Sequence, residues 1–210
     1  MSGWSEVKDN HKRNTILDAA ECLLRAHGPE SVTMDSVARK AGISRAMLHQ
    51  YFSNRESLYA AVAARIVESL NATINSHTSG HTGLRKLRAS GRAVECFMRN
   101  HPEKMAVLKE LQMVRARDPG DENVRELLRL VRANQQVLAE AVKESGSRNN
   151  FVAGIDPLAT GQFLRMALHD ARSLPPAHLA MLDHCGIRCE DFLKNVRDPV
   201  YRSILISPDN

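Results

Sequence analysis

The sequence predicts an all-α protein: an N-terminal three-helix helix-turn-helix domain joined by a long helix to a C-terminal helical domain. Three observations predict it. Apolar residues recur at 3.6 spacing in most of the 210 residues, and Gly, Pro and N-capping residues fall between the periodic runs. No segment alternates with period two except the short tail 203–206.

Residues 1–10 lack helical periodicity, and with His11, Lys12 and Arg13 they read as a flexible basic arm over 1–13. The first helix places Ile16, Leu17, Ala19, Ala20, Leu23 and Leu24 on one face and stops at Gly28-Pro29. Thr33 is the N-cap of a short helix that turns Val37, Ala38 and Ala41 inward and ends at Gly42. Ser44 caps a second short helix from Arg45 to Tyr51. Ser53 and Glu56 form a capping box for a longer helix carrying Leu58, Val62, Ile66 and Leu70. The polar run 75–83 reads as a loop. Further helices are expected at 84–99, at 102–116 behind Pro102, at 121–145 capped by Asp121, at 157–173 capped by Asp156 with Pro157 first, and at 177–197. The domains expected are the arm at 1–13, a DNA-binding domain at 14–66 and a helical domain at 67–210.

Charge constrains function weakly. The chain holds 29 Lys or Arg against 24 acids, a formal +5, which permits a polyanionic partner without naming one. Residues 1–66 carry nine of the bases and seven of the acids, so placement has to make the case. The four cysteines, with no signal-peptide-like stretch, suggest a cytoplasmic protein, and no apolar run is long enough to span a membrane.

Residues 34–53 supply that placement. A helix-turn-helix needs a small residue where its two helices cross, a turn residue tolerant of positive φ, and an apolar anchor in the second helix. Ala38, Gly42 and Leu48 provide them, with Val37, Ile43 and Tyr51 completing the inner face. The second helix then exposes Arg45, Ala46, Met47, His49 and Gln50, the candidate base readers. Arg45 suits guanine O6 and N7, a pairing worth about 1–3 kcal/mol of discrimination, and Ala46 and Met47 suit a thymine methyl. Thr33, Ser44, Tyr51 and Arg55 are the candidate phosphate-backbone contacts.

The stretches Ile16-Leu17-Asp18-Ala19-Ala20, Gly28, Thr33-Met34-Asp35-Ser36-Val37-Ala38-Arg39-Lys40-Ala41-Gly42-Ile43-Ser44-Arg45-Ala46-Met47-Leu48 and Tyr51-Phe52-Ser53-Asn54-Arg55-Glu56-Ser57-Leu58 resemble the TetR family of one-component regulators. The resemblance implies a homodimer, usually a repressor, with a small-molecule pocket among its C-terminal helices and a four-helix dimer interface. His49 stands where that family commonly has a phosphate-contacting tyrosine, and Gln50 where another aromatic residue or histidine is frequent. Both side chains still form hydrogen bonds, but the operator is not transferable from a relative.

In the C-terminal part Phe97, Met105, Leu108, Met166 and His169 are candidate pocket residues, because flexible or polarisable side chains suit an adaptable ligand site. Methionines at helical spacing are more often simply core. Cys185 and Cys189, beside His178, Asp183 and His184, invite a metal or redox reading; the rival is two small core residues of a late helix. No catalytic constellation is present: there is no phosphate-cradling glycine loop, no Gly-x-Ser-x-Gly and no His-Glu-x-x-His. The expectation is therefore a non-enzymatic, cofactor-free regulator that binds a palindromic double-stranded operator as a homodimer, away from membranes, and is released by a small effector. The alternative is a helix-turn-helix protein without a small effector, controlled by a protein partner.

Overall fold

The computed structural model describes residues 3–112, 118, 120–146, 156–157, 159–161, 182, 184–188 and 191. All regular structure among them is helical, as expected: α1 (Gly3–His27), a 3-10 turn (Pro29–Ser31), α2 (Met34–Ala41), α3 (Arg45–Tyr51), α4 (Arg55–Thr78), α5 (Gly83–Asn100), α6 (Pro102–Gln112) and α7 (Glu122–Gly146). None of these helices is long and apolar enough to cross a membrane.

The local signals hold where caps and glycines act. At Gly28, φ is 71°, its N–H reaches the Leu24 carbonyl, and Pro29 opens the next turn. Thr33 and Ser36 form a reciprocal capping box, in which each side chain accepts from the other's backbone N–H at 3.0–3.2 Å. Gly42 adopts the left-handed conformation at φ 68°, returning its N–H to Ala38 and Arg39. Ser44 Oγ accepts from Met47 N at 3.1 Å. Asp121 caps α7 through Asn123 N and Val124 N, and Asp156 caps the turn begun by Pro157 through Ala159 N.

Four boundaries differ from the expectation. α1 begins at Gly3, so residues 3–13 are helical rather than an arm outside the first helix; tertiary partners for Asp9 and Arg13 offset their poor periodicity. α4 is capped by Asn54, whose Oδ1 accepts from Ser57 N at 2.9 Å, in place of the expected Ser53 cap; Ser53 Oγ donates to Asp121. α4 also runs to Thr78, which leaves only 79–82 of the expected 75–83 loop; Thr78 is buried and its hydroxyl closes onto the Ile74 carbonyl. Finally, the expected 177–197 helix is interrupted, because Cys185 and Gly186 form a turn with Gly186 at φ 69°. The far ends of the 102–116 and 157–173 helices and the tail 203–206 lie outside the described residues.

The chain divides into two compact units. Unit 1 joins residues 1–73 to 94–132, so the helix-turn-helix shares its unit with more than the 14–66 segment. Its core takes Ile16, Leu17, Ala20 and Leu24 from α1, Val37 and Ala38 from α2, Leu48 from α3 and Leu58, Val62 and Ile66 from α4, closed by Phe97, Val107 and Leu111. Unit 2 joins residues 74–93 to 133–210. Within it Lys86 pairs with Glu140 at 3.1 Å, and Gly83 N donates to Glu144 Oε2 at 2.7 Å.

Candidate nucleic-acid interface

Leu48 and Phe52 are 0 and 1% exposed and anchor the recognition helix α3. Anchoring that face turns the other outward: Arg45, Ala46, His49 and Gln50 are exposed and Met47 is half-buried. The structure thus brings all five candidate base readers to α3. Thr33 at the start of α2, Ser44 at the start of α3 and Arg55 at the start of α4 are exposed, and Tyr51 is half-buried. The Thr33 and Ser44 oxygens accept their caps' amides, which leaves each hydroxyl proton available to a phosphate. The Arg55 guanidinium lies 5.7 Å above the ring of Tyr59. Burial raises the Tyr59 phenol pKa, its hydroxyl donating to the Pro29 and Val32 carbonyls, and Arg55 partly counters the rise.

Several partners of these residues leave no trace in sequence spacing. Arg45 Nη1 reaches Asp35 Oδ2 at 3.3 Å, both side chains more than half exposed, and its Nε makes a long 3.5 Å contact to His49 Nε2. His49 Nδ1 lies 3.3 Å from the Ser53 carbonyl, which fits a tautomer donating through Nδ1 and accepting at Nε2. An exposed ion pair such as Asp35–Arg45 is worth about 0–1 kcal/mol, less than a bidentate guanine contact, so Arg45 is free to exchange one for the other. The Tyr51 hydroxyl donates to Asp9 Oδ1 at 2.6 Å, and this hydrogen bond is the main reason that its phenol pKa is raised.

The sequence and the fold are similar to those of known proteins. Residues 16–62 fit the family model described as bacterial regulatory proteins, tetR family. The chain carries a TetR-family DNA-binding domain. An uncharacterised HTH-type transcriptional regulator of Mycobacterium tuberculosis is 44% identical over 59 residues, 28% of this chain and 29% of that protein. The chain thus spans under a third of that relative's length. The HTH-type transcriptional regulator BetI of Rhizobium meliloti is 26% identical over 181 residues, 82% of this chain and 86% of BetI. Among solved structures, a complex of SmeT with triclosan superposes with a TM-score of 0.63 at 16% identity, covering 94% of this chain and 93% of SmeT, the repressor of the SmeDEF multidrug efflux pump in Stenotrophomonas maltophilia.

Unit 1 also contains a cleft of about 610 Å³ lined by α1, α4 and α6. Glu21, Cys22, Arg65, Glu68, Lys104 and Val107 are among its lining residues, and Arg65 ties α4 to α1 through Asp18 at 2.6 Å and through Glu21. Of the candidate pocket residues, Phe97 is buried in the core of unit 1, and Met105 and Leu108 pack against that core; none of the three lines the cleft. Met166 and His169 lie outside the described residues. Cys185 is exposed in a turn, which removes the helical register expected to align it with Cys189 and also the core placement. Cys189, His178 and Asp183 lie outside the described residues, and no three His, Cys, Asp or Glu residues among those described are placed to hold a metal.

Proposed function

We propose that the chain is a ligand-responsive transcriptional repressor that binds a palindromic operator as a homodimer. The observation that carries the reading is the face of α3, where Arg45, Ala46, His49 and Gln50 are exposed on a helix held from behind by buried Leu48 and Phe52. An α-helix fits the B-DNA major groove, and two such helices about 34–36 Å apart, or at a multiple of that distance, meet successive turns. Arg45, Ala46, Met47, His49 and Gln50 read base edges, and Thr33, Ser44, Tyr51 and Arg55 hold phosphates. An effector releases the operator by preferring a dimer whose two readers stand at a different separation. That SmeT takes triclosan on the same fold supports a small-molecule effector.

A second reading, control by a protein partner, draws support from Phe97, Met105 and Leu108, which are buried in or packed against the core of unit 1 and do not line its cleft. Release of the operator complex by one compound from a metabolite panel would exclude it.

Arg45→Ala and Arg55→Ala test the division of labour on a randomised duplex library. Arg45→Ala is expected to relax preference at one base position, and Arg55→Ala to weaken all sequences alike while lowering the salt slope by about one. Identical profiles for the two variants would overturn the assignment.

A further inference from the structure

Six side chains from three parts of unit 1 meet at the C-terminal end of α3. Asn123, in the first turn of α7, uses both ends of its amide: Oδ1 accepts from the Arg13 guanidinium of α1, and Nδ2 donates to Ser57 Oγ of α4 at 2.9 Å. Ser57 is only 2% exposed, so its hydroxyl depends on protein partners. Asp121 adds a contact to the α3–α4 turn, accepting from Ser53 Oγ at 3.1 Å. The same Arg13 guanidinium lies 5.2 Å above the ring of Phe52, which ends α3 and is itself buried.

From this arrangement we infer that Asn123 is a positioning residue for DNA reading: by holding Arg13 and Ser57 together it clamps Phe52 and thereby sets the direction of α3. The inference rests on the DNA-reading role proposed above. A seven-residue helix is too short to hold its own direction, and its anchors Leu48 and Phe52 lie toward its C-terminal end. The Arg13 guanidinium lies over the ring of the second anchor, and Asn123 holds that guanidinium. Removing the amide frees the guanidinium and leaves the buried Ser57 hydroxyl without this donor. α3 would then sample several directions, of which one fits the groove. Contacts that specify bases suffer from such a change more than contacts to phosphate, because base-edge hydrogen bonds demand alignment and screened charge attraction does not.

The test uses the full chain, a duplex enriched from a randomised library by the wild-type protein, and a scrambled duplex of the same composition. Asn123→Ala and Ser57→Ala are each expected to weaken the selected duplex by about tenfold and the scrambled one by less than about twofold. The loss in the double variant should fall short of the product of the two single losses, since both variants cut the shared Asn123–Ser57 link. Amide exchange at residues 45–52 should accelerate in the free protein, while residues 34–41 keep their protection. Unchanged affinity for the selected duplex, equal losses on both duplexes, or losses that multiply would overturn the inference. If Asn123→Ala does not fold, Ser57→Ala, which deletes one oxygen atom, decides by the same readouts. If the wild-type chain enriches no duplex, the DNA-reading role falls, and exchange at 45–52 still decides: faster in Asn123→Ala supports the clamp, unchanged overturns it.

Discussion

Arg45 and Tyr51 each carry a carboxylate partner, Asp35 for one and Asp9 for the other, which the proposed DNA contacts would have to replace. Both partners are exposed, so a phosphate or a guanine edge can displace them at modest cost. Asp121 is a different kind of acid. Partial burial pushes its pKa up, but hydrogen bonds from Ser57, Val124 N, Ser53 and Asn123 N outweigh that, and the carboxyl titrates below its ordinary value of 3.8. A depressed folded-state pKa stabilises the protein above the unfolded value and loses that contribution as pH falls through the folded one. Asp121→Asn keeps the cap acceptor but not the charge. Its melting temperature should therefore lie below wild type near neutral pH and converge on it below about pH 4, as thermal scans across pH would read. A gap that stayed constant with pH would show that the carboxylate charge contributes nothing.

Each short helix of the reader is bounded by residues acting within four positions of one another, which is why its limits were legible from sequence. Thr33 and Ser36 close α2 at one end and Gly42 at the other. No atom lies within 4 Å of a Cβ built on Gly42, so the only obstacle to a side chain there is its φ of 68°. Gly42→Ala should cost about 1–2 kcal/mol, the left-handed penalty alone. Urea unfolding would measure it, and a much larger loss would mean that the turn tolerates no Cβ for another reason. The α4 boundary was less legible because Ser53 and Asn54 both suit an N-cap. The structure gives the cap to Asn54, while the Ser53 hydroxyl donates to Asp121, far along the chain.

The unit that contains the reader is assembled from two separated stretches of chain, residues 1–73 and 94–132. Phe97, Val107 and Leu111 complete a core begun by Ile16, Leu48 and Val62. Phe97→Ala, far from α3 in sequence, should therefore destabilise the helix-turn-helix unit by about 3–5 kcal/mol, the usual cost of emptying a buried aromatic site. Circular dichroism during denaturation, with amide exchange in α2 and α3, would detect it. Unaltered protection in those helices would mean that the reader folds without this support. Phe97 is 1% exposed and its ring lies 4.9 Å from that of His101. The reading of Phe97 as a pocket residue drew on composition, which does not distinguish an aromatic side chain lining a void from one filling it.

Sequence alone determined that the protein is helical, where the two short helices begin and end, and which face of α3 is outward. Those features follow from caps, glycines and a 3.6 period, all of which act over a few residues. Only the tertiary structure decided what holds α3 in place and what guards its charged residues. Arg13 meets Asn123 across 110 positions and Tyr51 meets Asp9 across 42, and no local periodicity encodes a hydrogen bond over such separations. The packing of apolar faces brings those polar groups together, and the partners of Arg45, Tyr51 and Ser57 are set by that packing.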